Sequence, residues 1–298
     1  MDLTTWFCHI DDFVKARNNK SIQFEQSKPP RGVSAQMSLS ELMTIIIASH
    51  HSAYKNFKSY YHYIKNYHFQ EFPQLISYNR FIEWMPSGLI PLSAYLKSRR
   101  GQITGISYID SCPIAVCKNI RIPRNKVFKG LASRGKSSLG WFFGFKLHLI
   151  VNEVGELLAF KVTTGNVNDR TPVKNLCQGL TGKLFADKGY LGKQLFEELF
   201  EDGLELITNL RSNMKNKLIP LGDKLLLRKR FIIETINDQL KNICDIEHSR
   251  HRSPVNFMVN LIAGLISYTW KEKKPSIRMP HNALTALWEV KKAELRFI

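Results

Sequence analysis

Three acidic residues lie in three separate motifs: Asp110 in YIDSCP, Asp187 in FADKGY and Glu234 in RKRFIIETINDQLK. Arg230 precedes Glu234 by four residues and Lys241 follows it by seven, so both bases share the glutamate's face of a predicted helix. A helix face that alternates base, acid and base can hold a metal ion through its carboxylate while the bases hold phosphate. The spacing therefore indicates phosphodiester chemistry on DNA.

Magnesium is the metal ion that these acids favour. A carboxylate beside an apolar strand is costly to desolvate unless a cation compensates its charge. Mg²⁺ is a hard ion that accepts one or two carboxylates together with phosphate oxygens. Two such ions, about 4 Å apart, would activate the attacking water or hydroxyl and stabilise the leaving 3′ oxygen. We predict that Asp110, Asp187 and Glu234 hold two Mg²⁺ ions, for which Mn²⁺ could substitute.

Each of the three acids also has a purely structural interpretation. Asp110 and Asp187 are typical of turns at strand ends. Glu234 could form an ordinary surface ion pair with Arg230, which would contribute about 0.3 to 0.5 kcal/mol. This interpretation does not account for Lys241, nor for three acids at positions that one fold brings together.

The charge of the chain favours a polyanionic partner. The 298 residues include 43 Lys and Arg against 25 Asp and Glu, a formal net charge of +18 with a pI near 9.7. The apolar run FMVNLIAGLISYTW is shorter than the roughly 20 residues of a membrane span, and the opening MDLTTWFCHIDDF is not a signal peptide. We therefore expect double-stranded DNA as the partner, with no membrane and no small-molecule substrate.

The cysteines indicate the compartment. Their number is odd, and none belongs to a Cys-x-x-Cys pair, which is typical of free thiols in a reducing cytoplasm. The five are Cys8, Cys112, Cys117, Cys177 and Cys244.

A basic segment without any acidic residue lies between Ser111 and Asn152. Charged runs are usually solvated faces, but eight like charges repel one another unless a polyanion covers them, so we predict phosphate contacts here. His148 lies on the same side of its predicted strand as Lys146. It could reach the metal site or the scissile phosphate, or it could be a core histidine. The eight bases are Lys118, Arg121, Arg124, Lys126, Lys129, Arg134, Lys136 and Lys146. The runs RSNMKNK, RKR and HSRHR add further bases that should follow the DNA backbone.

The first 100 residues are predicted to be helical. Ser38 and Glu41 form a capping-box pattern ahead of LMTIIIASH, and SAYKNFKSYYHYIKNY places aromatic residues at helical spacing. These helices fit two interpretations equally, a scaffold with solvated lysines or a DNA-binding or dimerising domain. With SRRG as a boundary, we expect a helical N-terminal region (1–100), a catalytic domain (101–270) and a C-terminal tail (271–298).

The period of the hydrophobic pattern then changes to that of strands. ITGISYID, GWFFGFKLHLIV and ELLAFKVTT predict three strands, the last two joined as a hairpin. A helix from Asn168 or Asp169 to Gly179, the strand KLFAD, a helix from Leu191 to Asp202, the strand LELITNL and the helix of Glu234 follow. This order predicts a ribonuclease H-like mixed sheet with flanking helices, of the α+β or α/β class. In that layout the first strand, the fourth strand and the last helix carry the acids.

The motifs resemble a known family. RKRFIIETINDQLK resembles the Arg-x3-Glu-x6-Lys signature of bacterial insertion-sequence transposases of the DDE class. The wider run from VFKGLASRGK through LFADKGY to SPVNFMVNLIAGLISYT, with FPQLISYNRFIEWM upstream, is similar to the nine-eight-two insertion-sequence family in particular. The resemblance implies that Asp110, Asp187 and Glu234 form the DDE triad. Related families have a tyrosine where this chain has Leu227, so no tyrosine role is transferred.

The expected function is therefore that of a magnesium-dependent DNA transposase. It would cut the 3′ ends of its element and join them to target DNA, acting as a homodimer on DNA in the bacterial cytoplasm, in association with the nucleoid. Two alternatives are a nuclease of the same fold that does not join strands, and a transposase-derived protein that only binds DNA. Loss of a triad acid, the usual mark of the last class, is absent from the sequence.

Overall fold

The computed structural model describes residues 2–18, 37–138, 140–209, 219–247 and 251–277. The insertion RSNMKNK, most of HSRHR and the tail beyond residue 277 therefore lie outside the described residues. In the described ranges, no helix has the length and apolar character needed to cross a bilayer.

Among the described residues, five α-helices precede the first strand, and side chains of Ser38 and Asn56 cap the starts of two of them. The predicted capping box is confirmed: the Ser38 hydroxyl accepts from the Glu41 amide at 3.1 Å, and the Glu41 carboxylate accepts from the Ser38 amide at 2.5 Å. Such a cap contributes about 0.5 to 2 kcal/mol to the helix that it begins. The helices are α1 (Leu3–Asn18), α2 (Leu39–Ser49), α3 (Phe57–Tyr67), α4 (Tyr78–Trp84) and α5 (Leu89–Ser98).

A six-stranded sheet forms the centre of the region that follows residue 100. Its strands are β1 (Ile106–Cys117), β2 (Ser133–Ser137), β3 (Gly140–Asn152), β4 (Leu157–Thr164), β5 (Gly182–Ala186) and β6 (Leu204–Thr208). Antiparallel partners of β3 are β1, β2 and β4, while β5 is parallel to both β1 and β6. Without the short β2, the order is β4-β3-β1-β5-β6. This is the ribonuclease H-like arrangement that the sequence predicts.

Helices cover both faces of the sheet. The helices α6 (Val173–Leu176) and α7 (Lys193–Glu201) pack on one face, over a buried cluster that includes Ile109 and Leu184. The other face is covered by α8 (Leu221–Arg228), α9 (Phe231–Asn242) and α10 (Pro254–Thr269). The last helix belongs to the core, because α10 packs against β3 through Phe257 and Phe145 and also against α2 and α5. The N-terminal helices and the sheet thus share one hydrophobic core.

Two predicted elements have different bounds. The first strand was expected to end at Asp110 but continues to Cys117. Pro113 is tolerated there because β5 pairs with β1 only as far as Tyr108, so the missing proline N–H falls on an unpaired edge. The helix expected from residue 168 to 179 is reduced to α6, because the Asn168 side chain accepts from the Arg170 amide in a turn and Pro172 follows it.

Candidate active site

The sheet register brings Asp110 and Asp187 together. Tyr108 of β1 is paired with Phe185 of β5, and their rings stack with centroids 5.3 Å apart. Each aspartate lies two residues beyond this pair, so by the strand period of two both belong to the face of the stacked rings. Neighbouring strands are about 4.8 Å apart. The two carboxylates therefore occupy adjacent positions where β5 ends and its chain turns into a short 3₁₀ helix.

The helix α9 places the third acid on the same face. It packs against β1, and the Asn237 side-chain amide donates to the Asp110 carboxylate at 3.3 Å. Glu234 lies one helical turn before Asn237 and is 56% exposed. Its carboxylate accepts from the Arg230 guanidinium at 2.7 Å. The ion pair that the sequence offered as the structural alternative is thus present beside the two aspartates.

The pKa of Asp110 reflects its burial and the charged side chains around it. Burial is the main cause that raises the pKa of its carboxyl to about 6, and the charges of Glu234 and Asp187 raise it further. The Arg230 guanidinium and the backbone amide of Ser111 oppose this shift. The three acids therefore lie close enough to act on one another's charge, and the positive charge nearby only partly compensates them.

The donor set fits a hard cation, although the side chains are not gathered around one point. Carboxylate oxygens are the ligands that Mg²⁺ prefers, and a half-buried aspartate with a raised pKa gains from an added positive charge. Within the described ranges, no three His, Cys, Asp or Glu side chains are close enough to hold a metal ion. The bond between Glu234 and Arg230 accounts for this, because it directs the third carboxylate towards the guanidinium.

The raised pKa gives a prediction for stability. Between the ordinary value of 3.8 and about 6, the folded protein holds a proton on Asp110 that the unfolded chain has lost. The stability from this group is therefore complete below the lower value and is lost as the pH rises through the upper one. We expect Asp110→Asn to be more stable than the parent at about pH 7 but not at about pH 4.

Urea unfolding of both proteins at the two pH values, with a chelator present, measures this difference. An equal difference in unfolding free energy at both pH values would show that Asp110 does not titrate as its burial implies.

Lys241 has a partner other than Glu234. In the last turn of α9, its ammonium lies 2.8 Å from the Glu247 carboxylate, whose other oxygen accepts from the Ala115 amide of β1 at 2.7 Å. Glu247 therefore fixes Lys241 to the central strand. Lys241 lies on α9, Arg230 is the residue immediately before its first turn, and the two bases contact different acids.

Lys146 and His148 lie on the opposite face of the sheet from Asp110. His148 is paired with Ser111, one position away from Asp110 along β1, so their side chains point to opposite sides. The imidazole is 0% exposed, its Nε2 lies 2.8 Å from the Thr163 hydroxyl, and burial lowers its pKa to about 4. The Lys146 ammonium contacts Asp169 at 2.9 Å. The structure does not bring either side chain to the acids, so their contacts with DNA stay predictions without geometric support.

The other seven bases of the basic segment are exposed, and in the part of the chain that the structure describes none has an ion-pair partner. Arg134 and Lys136 belong to β2, which the sequence did not predict, and Lys136 lies 6.0 Å from the ring centroid of Trp141. Trp141 is 62% exposed and Ile120 is 85% exposed. These two apolar side chains were missed by sequence reasoning, because each sits in a pattern that also fits a strand or a turn.

Two further residues belong to the neighbourhood of the acids. Asn237 contacts Asp110, and its signal in the sequence was its position three residues after Glu234, on the same helical face. Tyr190 of the FADKGY motif is buried, and burial followed by the charge of Asp110 raises the pKa of its hydroxyl. Tyr190 had no signal beyond its place in that motif.

A family model described as a transposase DDE domain matches residues 100–254, just over half of the chain. The chain belongs to this transposase family. The matched range contains the three acids of the DDE transposase chain and all six strands of its sheet.

No curated protein sequence matches the DDE transposase chain. Among solved structures, it aligns with a chain of a cryoEM structure of the simian T-cell lymphotropic virus intasome in complex with PP2A regulatory subunit B56 gamma. The identity is 13%, the alignment spans 65% of each chain, and the TM-score is 0.27. A likeness this low supports no argument about the DDE transposase chain.

Proposed function

We propose that the chain is a magnesium-dependent DNA transposase of the nine-eight-two insertion-sequence family. It cuts the 3′ ends of its element and joins them to target DNA. The observation that carries the proposal is the convergence of two aspartates at neighbouring strand positions beneath a helix that bears a glutamate. The charges of Glu234 and Asp187 both raise the pKa of Asp110, which supports a shared site for the three acids.

Each acid and each of its neighbours has a defined task. Asp110, Asp187 and Glu234 hold two Mg²⁺ ions, which when bound polarise the scissile phosphate and lower the pKa of the attacking hydroxyl. Asn237 orients the Asp110 carboxylate through its amide. Arg230 holds Glu234 on the exposed side of α9, next to the position where a phosphate would lie.

The DNA lies across the exposed bases beside the active site. Seven bases without acidic partners among the described residues give a surface that a phosphate backbone would neutralise. The N-terminal region (1–100) recognises the element ends, the catalytic domain (101–270) cuts and joins them, and two copies act together on DNA in the bacterial cytoplasm. A second function, cutting without joining, remains the alternative that the experiments below distinguish.

The proposal is tested with DNA that carries the sequences flanking the coding region. Inverted repeats in these flanks, with Mg²⁺-dependent cleavage at the outer 3′ ends of the repeats, is the expected result. Equal cleavage of unrelated duplexes would instead indicate a nuclease without a cognate element.

Arg230→Ala gives a more specific prediction. We expect weaker binding of the cleavage-ready DNA complex and slower strand transfer, because the guanidinium is placed to hold phosphate as well as Glu234. The unfolding free energy should fall by less than about 0.5 kcal/mol, since an ion pair at this spacing with a 56% exposed glutamate contributes little. Kinetics on nicked and intact element ends, with thermal melting of the same variant, measure both quantities. Lys241→Ala should likewise slow strand transfer while metal binding survives.

Lys193→Ala is the matched control, because Lys193 forms an ion pair with Glu197 at the same helical spacing on the far face of the sheet. It should change neither rate nor DNA affinity. Lower stability of Arg230→Ala with normal kinetics would limit Arg230 to a structural pair.

A further inference from the structure

A cavity of about 920 Å³ lies between the N-terminal helices and the far ends of β1 and α9. Its walls come from the link between α2 and α3, from Ala115 and Cys117 of β1, and from the segment that follows α9. The volume is at the upper end of the range typical of small-molecule and cofactor sites, about 300 to 1,000 Å³. None of the three acids lines it.

The lining combines aromatic rings with free positive charges. Tyr54 is 40% exposed and lies beside Tyr60 and Tyr63, with ring centroids 6.2 and 5.3 Å away. Three exposed lysines complete that side, and among the described residues they have no acidic partner. They are Lys55, Lys58 and Lys118, and the last is also the first base of the basic segment. Aromatic faces beside lysines are the combination that binds unpaired nucleotides.

Two polar groups of the lining have no hydrogen-bond partner within the described residues. Tyr60 is 3% exposed and its hydroxyl is unpaired, as is the side-chain amide nitrogen of Asn260. A buried polar group without a partner is costly, so a ligand that supplies the missing hydrogen bonds binds more tightly. A donor amide and a hydroxyl suit the carbonyl and ring-nitrogen edge of a nucleobase.

Two acidic residues of the cavity lining indicate which wall would face the nucleobase and which would face the phosphate. Glu247 is already held by Lys241 and by the backbone of β1, and Asp245, a half-buried residue with φ of 47°, lies on the same link. This wall would repel a phosphate but would accept the amino group of a base edge. The phosphates therefore belong on the lysine side and the base on the inner side.

The cavity is near the acids but separate from them. Ala115 follows Asp110 by five strand residues, about 16 Å. Asn242 follows Glu234 by eight helical residues, about 12 Å. In duplex DNA this span corresponds to about four or five nucleotides. Lys241 lies between the two sites, where its ammonium would contact the connecting backbone.

We propose that this cavity binds an unpaired nucleotide of the DNA substrate, its base on the inner wall with Tyr54 and Tyr60 and its phosphate against the lysines. The inference rests on the proposed function, because it assigns the cavity to the same DNA that the acids cut. It means that the protein holds DNA opened a few nucleotides away from the scissile bond. Opening a duplex costs stacking and pairing energy, so DNA that is already unpaired there binds more tightly.

The test compares two fluorescent DNAs of equal length, a fully paired duplex and one with a run of unpaired cytidines at one end, at one salt concentration. We expect the forked DNA to bind more tightly. Tyr54→Ala should weaken forked binding at least about fivefold, and Tyr60→Phe about two- to tenfold, while duplex affinity changes less than about twofold. Tyr67→Ala, which removes an exposed aromatic ring of α3 outside the cavity, is the control and should change neither.

Equal binding of both DNAs, unaffected by the two cavity variants, would overturn this inference and leave the proposed function in place. Binding of neither DNA would overturn the proposed function and the inference with it. Tyr60→Phe removes only a hydroxyl without a partner among the described residues, so it should fold like the parent even if Tyr54→Ala does not.

Discussion

Asp110→Asn, Asp187→Asn and Glu234→Gln should each reduce DNA cleavage at least about a thousandfold in Mg²⁺. Each substitution removes the negative charge of one carboxylate and keeps its shape, so metal binding is lost while the fold is kept. Asp110 and Asp187 lie side by side beneath α9, and Glu234 raises the pKa of Asp110. Cleavage rates of element-end DNA, measured in single turnover, check this expectation.

Glu197→Gln is the matched control for Glu234→Gln. The two glutamates are 57% and 56% exposed, and each forms an ion pair with a base four residues earlier. Glu197 lies on α7, across the sheet, and its variant should cleave normally. All four variants should keep the parent's circular dichroism and duplex affinity. Near-normal cleavage by any of the three triad variants would exclude that residue from the triad.

Removal of three bases from the basic segment should make DNA binding much less sensitive to salt. Arg121, Arg124 and Lys126 are exposed and have no acidic partner within the described residues. If each contacts one phosphate, the triple Ala variant loses about 2.7 from the slope of log affinity against log salt. Between 50 and 200 mM salt, the DNA affinity of the parent should therefore fall roughly fortyfold further than that of the triple variant. Titrations of non-specific duplex DNA at several salt concentrations measure the slope.

A second triple variant removes the same total charge elsewhere. Lys15, Lys174 and Lys193 each pair with an acid, at 2.6, 3.4 and 3.6 Å, and are outside the basic segment. Their replacement by Ala should change the slope by no more than about 0.9, which is the contribution of one phosphate contact. An equal loss of slope in both triple variants would assign the effect to net charge. An unchanged slope in the first variant would make the basic segment a solvated face.

The sequence predicted the sheet well because its signals are local. The strands β3 and β4 are rich in aromatic and aliphatic residues and meet at a turn with Gly155, whose φ of +77° favours glycine. The capping box of α2 depends on residues three apart. The order of elements then limits the topology to very few arrangements. That layout predicts Asp110 on the first strand and Asp187 at the end of the fourth.

The features that the sequence did not predict depend on contacts between residues that are distant in the sequence. The continuation of β1 beyond Asp110 follows from pairing with β3, which residues near Pro113 do not reveal. The partner of Lys241 is Glu247, on a loop after the helix, and helical spacing gives no sign of this ion pair. His148 shares its strand with Lys146 but faces a covered side of the sheet. Which side of a strand faces a helix layer is decided by packing, and periodicity alone leaves it open.

The most direct test of the central claim is to sequence the junctions formed when the purified protein, Mg²⁺, labelled element-end DNA and a target plasmid are combined. The account predicts that the 3′ ends of the element become covalently joined to the plasmid, and that Asp110→Asn abolishes every junction. Efficient cleavage of the labelled ends without any junction would contradict the transposase assignment and indicate a nuclease on the same fold.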